Sequence, residues 1–154
     1  MDTKIYDVNR CNFLIRNYCA KMDRCQKQVM DKLLVYGLSK TVAEDILIEL
    51  IQDNYVNEQR FAESYCSGKF VIKKWGRKKI SFELLKLKVS KQCIQQGLEV
   101  IDDDRYIATL HDLMLKKYQL ARDKNEYVRK KKVANYVIRK GYESELVWDY
   151  IHQL

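Results

Sequence analysis

Apolar positions along the chain repeat three times in the same order, with a spacing of about fifty residues. Each copy has apolar residues four positions apart, then a Gly or Lys, then a second apolar run. This pattern predicts a helix, a break and another helix. The matching positions are Val29, Leu33, Gly37, Leu38, Val42 and Ile46; Ile80, Leu84, Lys88, Val89, Cys93 and Gly97; and Val133, Val137, Gly141, Tyr142, Leu146 and Tyr150. A period of this length predicts units of about three helices, each too small to bury its apolar face alone.

An additional helix is predicted ahead of the pair in each unit. The first runs from about Ile5 to Met22, and the other two begin after Asn57 and Asp102, which are good N-cap residues. The predicted units are residues 1–56, 57–102 and 103–154. The third unit has eight residues more than the second between Lys116 and Arg129, so we expect an extended helical arm or a longer loop there.

Composition supports a helical interpretation. The 154 residues include no proline and five glycines, while the helix-forming Leu, Lys, Gln and Glu are abundant. We therefore predict an all-α fold of tandem three-helix repeats that form a curved, elongated array. Apolar runs such as Leu33–Tyr36 are far too short to cross a bilayer.

The cysteines and the start of the chain predict a cytoplasmic location. Met1–Val8 mixes charged and apolar residues and contains no cleavable hydrophobic segment, so secretion is not expected. The five cysteines form no Cys-x-x-Cys pair and occupy apolar helical positions, which is typical of reduced core residues in a cytosolic protein. They are Cys11, Cys19, Cys25, Cys66 and Cys93.

Charge is segregated more sharply than the net charge of +8 suggests. The segment 67–91 has nine cations and a single acid, Glu83, and the segment 116–140 has ten cations against Asp123 and Glu126. Like charges repel within a fold, whereas a polyanionic partner is attracted by them, so the clusters predict an anionic partner. The candidate binding residues are Lys69, Lys73, Lys74, Arg77, Lys78, Lys79, Lys116, Lys117, Arg122, Arg129, Lys130, Lys131 and Lys132.

Two of these cation runs precede apolar helical stripes at equivalent places in the second and third units. Arg77–Lys79 comes just before Ile80, and Arg129–Lys132 just before Val133, so both runs are expected in the first turn of a helix. Cations are unfavourable at that end of the helix dipole. Free backbone amides at a helix start, joined by Lys and Arg side chains, can bind phosphate. The alternative is a solvated charged face. Unit one has no such run and is expected to act as a cap or a protein contact.

The central block resembles the RecX regulators of bacterial recombination. The resemblance is carried by Arg60-Phe61-Ala62, then Tyr65, then Lys74-Trp75-Gly76-Arg77-Lys78-Lys79-Ile80, and Glu83-Leu84 before a helix break at Val89. It implies tandem three-helix repeats that bind the RecA recombinase on its nucleoprotein filament and restrain filament growth, ATP hydrolysis and strand exchange. Two departures are Lys88, where the family usually has a helix-ending Gly, and Arg77, where Pro is frequent.

The remaining conspicuous residues are predicted to be structural. Trp75 could stack on a base but is expected in the core, and Trp148 is expected on the inward face of the last helix. His111 and His152 have no ligand-spaced partners, and the Asp102–Asp104 triplet is interpreted as a helix cap. We therefore expect no catalytic residue, no metal and no cofactor.

The sequence predicts a non-enzymatic regulator that is a monomer. Its predicted partners are the RecA filament and single-stranded DNA, met directly or through the filament. The alternative is a stand-alone DNA- or RNA-binding module resembling a helix-turn-helix protein, with no recombinase partner. The three-unit register, and the absence of a base-reading pattern of Asn, Gln or Arg on a second helix, favour the first interpretation.

Overall fold

The computed structural model describes residues 7–154, and over that range the chain is entirely helical apart from turns. The helices are α1 Val8–Lys21, α2 Gln26–Val35, α3 Lys40–Gln52, α4 Glu58–Val71, α5 Arg77–Lys86, α6 Lys91–Leu98, α7 Asp103–Leu120, α8 Glu126–Arg139 and α9 Ser144–Tyr150, followed by a 3-10 turn at Ile151–Gln153. The predicted all-α class is confirmed. The predicted helix start at Ile5 and nearly all of the segment 1–8 lie outside the described residues.

Side-chain caps fix the starts of most helices. Asn57 accepts a hydrogen bond from the Arg60 amide at 2.9 Å, and Asp102 accepts one from the Arg105 amide at 2.9 Å. Both residues were predicted caps, and each satisfies an amide that has no partner within the helix. The Asp102–Asp104 triplet therefore has a structural role, with Asp103 and Asp104 in the first turn, where the helix dipole favours anions.

The buried apolar residues form two cores. One lies within α1–α3 and the segment that follows, from Cys11 to Val56, and the other is built from α4–α9 together with Cys25. Because Cys25 caps the start of α2 yet packs into the second core, it joins the first three helices to the rest. Four cysteines are buried and Cys93 is half-buried, and none of the five forms a disulfide. Burial raises the pKa of the Cys66 thiol to about 12, which keeps it protonated.

In the last helix of each unit the first buried residue lies one position beyond the predicted one, although the predicted Ile46 and Gly97 are buried. Ala43, Ile94 and Val147 are buried, whereas the predicted Val42, Cys93 and Leu146 are half-buried. The prediction for Trp148 was wrong, since its side chain is 44% exposed and Val147 and Ile151 face the core instead. Neighbouring helical positions are about 100° apart, so Val147 faces the core while Trp148 is turned towards solvent.

The eight additional residues of the third unit form one additional helical turn on each of two helices. α7 has 18 residues where α4 has 14, and α8 has 14 where α5 has 10. The connections 72–76 and 121–125 have the same length. Of the two predicted outcomes, the structure has the extended helical arm.

A left-handed residue ends the middle helix of each unit. Gly37 and Gly141 have φ angles of 95° and 104°, and Lys88 takes the same place with φ 60°. The following amide then bonds back to the helix, as Val89 N–H does to the Leu84 carbonyl at 3.2 Å. The turn after Leu87 is thus the same with Lys as with Gly, but a side chain in this region is strained.

Lys88→Gly is therefore expected to stabilise the protein. Removing the Cβ relieves the left-handed strain, and part of this gain is offset by the greater chain entropy of Gly in the unfolded state. We expect the free energy of unfolding to rise by about 0.5–1 kcal/mol in urea titrations. The control is Lys131→Gly within α8, which should lower it by about 1 kcal/mol. An equal loss of unfolding free energy in both variants would contradict the left-handed conformation of Lys88.

None of the helices in residues 7–154 is both long enough and apolar enough to cross a membrane.

Candidate binding surface

The first turn of α5 contains the predicted cation run, but the amides of its first two residues already have partners within the protein. Gly76 N–H donates to the Lys140 carbonyl at 2.8 Å, and Lys78 N–H donates to the Gly141 carbonyl at 2.9 Å. Between them, Arg77 N–H donates to the Tyr106 hydroxyl at 3.1 Å. The amides of Gly76, Arg77 and Lys78 are therefore used within the protein and are not free to bind phosphate. A proline at position 77 would have no N–H for this bond.

Arg77 is the centre of the junction between the second and third units. Its guanidinium donates to Glu143 at 3.2 Å and to Asp103 at 2.6 Å, and it lies 3.8 Å from the centre of the Tyr106 ring. The Tyr106 hydroxyl in turn donates to Glu143 at 2.5 Å. Burial, together with the bond to Glu143, raises the pKa of Tyr106, so the phenol keeps its proton. Arg77 thus has two carboxylate partners and a ring within the protein.

The second predicted run does not lie in the first turn of its helix. α8 begins at Glu126, so Arg129 is its fourth residue and Lys132 its seventh. This expectation was wrong because four of the eight additional residues lengthen α8 at its start. Asn125 caps the helix by accepting from Val128 N–H at 3.3 Å, and Glu126 supplies the anion that the first turn favours.

Aromatic rings hold several of the lysines near the junction. The Lys69 and Lys79 ammonium groups lie 5.0 Å and 4.6 Å from the centre of the Trp75 ring. Trp75 itself is half-buried against the core, as predicted, so it serves as a packing residue and as a platform for cations. Tyr136 of α8 similarly has Lys117 at 4.9 Å and Lys140 at 5.6 Å.

The predicted cations fall into two groups. One group has intramolecular carboxylate partners, and the other has no ion pair with any described acid. The first group comprises Arg77, Lys116 with Asp112, Arg129 with Glu126, and Lys132 with Asp123. The second comprises Lys69, Lys73, Lys74, Lys78, Lys79, Lys117, Arg122, Lys130 and Lys131, of which Lys73, Lys74, Lys78, Arg122 and Lys131 are exposed. A partner would not have to compete with an internal carboxylate for the second group.

Three residues of this surface were absent from the predicted set. They are Lys124 in the α7–α8 loop, and Tyr136 with Lys140 on α8. Tyr136 and Lys140 are four positions apart, which places them on one helix face, and this spacing was a usable signal. Lys124 is one of the ten cations counted in the segment 116–140, but it lies between the runs Arg77–Lys79 and Arg129–Lys132. Among residues 7–154, no three His, Cys, Asp or Glu side chains come together as metal ligands would.

Models of RecX domains match two segments of the chain. The model of the second three-helix domain matches residues 57–98, and that of the third three-helix domain matches residues 103–151. Together they cover more than half of the sequence. The chain belongs to the RecX family.

Relatives named "Regulatory protein RecX" extend this similarity over most of the chain. The protein of Clostridium tetani is 28% identical over 148 residues, which cover 94% of this chain and 67% of that relative. Those of Clostridium beijerinckii and Streptococcus uberis are 25% and 27% identical, covering 89% and 84% of this chain but 64% and 50% of the relatives. This RecX-family chain therefore spans half to two-thirds of the length of these relatives.

Solved structures agree with the fold. The crystal structure of RecX from Lactobacillus salivarius superposes with a TM-score of 0.84 at 21% identity, covering 95% of this chain and 94% of that one. A second crystal structure, of a regulatory protein RecX, gives 0.85 at 20% identity, covering 96% and 72%. The RecX family is one of regulatory proteins, and its tandem three-helix architecture is the fold found here.

Proposed function

We propose that this chain regulates the RecA recombinase by binding its nucleoprotein filament, and that it restrains filament growth, ATP hydrolysis and strand exchange. The observation that carries the proposal is the match of two successive RecX domains to residues 57–98 and 103–151. The regulator is a cytoplasmic monomer that needs no cofactor and performs no catalysis. Single-stranded DNA is a further partner, bound directly or through the filament.

The distribution of unpaired cations supports a polyanionic partner. Lys73 and Lys78 near α5, and Lys130 and Lys131 on α8, have no ion pair with any acid among residues 7–154. Such charges repel one another in the free protein, and an acidic protein surface or DNA phosphate relieves that repulsion. Binding would then restrain the filament by occupying surface that growth and strand exchange require.

The paired cations have a different role in the proposal. Arg77 joins the second and third units through Asp103 and Glu143, and Arg129 binds the Tyr118 carbonyl. Replacing either residue would disturb the fold as well as the charge. A test of the binding surface therefore has to use the unpaired cations.

The test compares three double charge reversals, each changing the net charge by the same amount. They are Lys73→Glu with Lys78→Glu, Lys130→Glu with Lys131→Glu, and the control Lys21→Glu with Lys40→Glu in the first unit. RecA-driven ATP hydrolysis on single-stranded DNA is measured against increasing regulator concentration. Either pair from the basic clusters is expected to raise the half-inhibiting concentration at least tenfold, which corresponds to about 1.4 kcal/mol of binding free energy. The control pair should stay within twofold.

Two results would contradict the proposal in different ways. If both cluster pairs fold and still inhibit at the wild-type concentration, the cations are only solvated surface. If the wild-type protein does not change RecA activity at any concentration, the chain does not act on RecA. In that case, retained DNA binding would favour a stand-alone nucleic-acid-binding module.

A further inference from the structure

The helical arm, defined as residues 117–129, projects from the third unit. It consists of the additional turn of α7, the loop 121–125 and the additional turn of α8. No residue between Lys117 and Arg129 is buried, and α4 and α5 have nothing in the corresponding place. Because the arm adds no buried residue to the core and only Tyr118 packs against it, core packing does not explain why the arm is present.

The base of the arm is held rigid by contacts among its own residues. The Tyr118 hydroxyl lies 2.9 Å and 2.8 Å from the two carboxylate oxygens of Glu126. The Arg129 guanidinium donates twice to the Tyr118 carbonyl, at 3.0 Å and 2.7 Å, and lies 3.6 Å from the centre of the Tyr118 ring. The arm is thus a helical hairpin whose two helical turns are held together by these contacts.

Both acidic residues of the arm also have partners within the protein. Glu126 is bound by Tyr118 and lies 3.5 Å from Arg129, while Asp123 accepts from Lys132 at 2.8 Å. The bond from Lys132 holds the pKa of Asp123 below its ordinary value, so this carboxylate stays ionised and paired. Arg122 and Lys124 are exposed and have no ion pair with any acid among the described residues. The outward charge of the tip is therefore positive.

Apolar side chains are exposed beside these cations. Leu120 is 76% exposed and Tyr127 is 72% exposed, and the Lys131 ammonium lies 6.0 Å from the centre of the Tyr127 ring. An exposed aromatic ring with one unpaired cation beside it and others a few residues away along the chain is a combination that binds single strands, in which bases stack on the ring and phosphates bind the cations. A duplex offers no free base face for such stacking, and the ring itself has no packing role in the fold.

We propose that the arm, together with Lys131 just beyond it on α8, is a direct binding site for single-stranded DNA. A base stacks on Tyr127, and phosphates are bound by Arg122, Lys124 and Lys131. This inference rests on the proposed function and deepens it, because it states which element meets DNA without the recombinase. Tyr127 gives stacking energy that does not depend on sequence, so the site should accept any unpaired base.

The test measures binding of a fluorescently labelled oligothymidylate to the full chain at 50 mM salt, with no RecA present. Tyr127→Ala is expected to weaken binding about tenfold, whereas Tyr127→Phe, which keeps a stacking ring, should stay within twofold. Arg122→Ala with Lys124→Ala should lower the slope of log affinity against log salt by about 1.4. The matched control is Phe13→Ala, which removes an exposed aromatic ring of the first unit and should change nothing.

Circular dichroism and melting should be unchanged in all these variants, because every substituted side chain is exposed. Equal affinity of Tyr127→Ala and wild type would overturn the proposal, as would a wild type that binds no oligothymidylate. If Tyr127→Ala keeps DNA binding but loses inhibition of RecA, the arm contacts protein, so the DNA site is wrong and the proposed function stands. If Tyr127→Ala loses DNA binding and wild type never affects RecA, the site stands and the proposed function fails.

Discussion

Gly76→Ala is expected to lower the free energy of unfolding by about 3 kcal/mol, because a methyl group has no space at the junction of the second and third units. An added Cβ at Gly76 would meet backbone atoms of Gly141 and Tyr142, the carbonyl carbon and the amide nitrogen both at 2.3 Å. Backbone cannot rotate away as a side chain can. Relief would require the α5 start to move and its bonds to the Lys140 and Gly141 carbonyls to lengthen. Urea unfolding monitored by circular dichroism measures the loss.

The matched control is the same substitution at Gly68. This glycine lies within α4, and an added Cβ would meet no atom within 4 Å. Gly68→Ala should therefore raise the free energy of unfolding by about 0.5–1 kcal/mol, since Ala restricts the unfolded chain and favours helix. A Gly76→Ala variant as stable as wild type would mean that the two units do not approach so closely in solution.

Leu84→Ala and Val137→Ala are expected to act as core lesions. Both side chains have no solvent exposure, and they occupy equivalent positions in α5 and α8. Truncation removes apolar contacts and leaves a cavity, so Leu84→Ala should cost on the order of 2–5 kcal/mol and Val137→Ala about 2 kcal/mol. Thermal melting and urea titration give the two values.

Leu85→Ala is the control for this pair, since Leu85 neighbours Leu84 in the sequence but is 48% exposed. Its substitution should change the free energy of unfolding by less than about 0.5 kcal/mol. Three variants with equal melting temperatures would show that the inward faces of α5 and α8 are assigned to the wrong residues.

The middle helix of each unit was predictable from the sequence because its apolar residues recur with little interruption. Val29 with Leu33, Ile80 with Leu84, and Val133 with Val137 are fully buried in three equivalent helices. In the last helix of each unit the first buried residue was predicted one position too early, although Ile46 and Gly97 were placed correctly. A stripe such as Val42 and Ile46 is apolar, but Ala43 between them is apolar too, so periodicity alone could not choose the buried face.

The candidate surface was predictable as a set of charges but not as a geometry. Charge counts place cations in the segments 67–91 and 116–140, and they cannot tell a paired side chain from a free one. Arg77 and Lys78 are adjacent in the sequence, yet Arg77 reaches Asp103 and Glu143 while Lys78 is exposed. Whether the side chain is paired depends on Asp103 and Glu143, which are more than twenty positions away and cannot be identified from local sequence patterns.

The sequence by itself determined the helical class, the three-fold register, the caps at Asn57 and Asp102, and the concentration of cations in the segments 67–91 and 116–140. All of these follow from local propensity, periodicity and charge, which act between near neighbours along the chain. Only the tertiary structure decided that the Arg77 and Lys78 amides are occupied, that Arg77 is part of a junction, and that the additional residues form a helical arm on which Tyr127 is exposed. Each of these depends on which segments pack together, and that is fixed when distant backbone and side-chain groups satisfy one another.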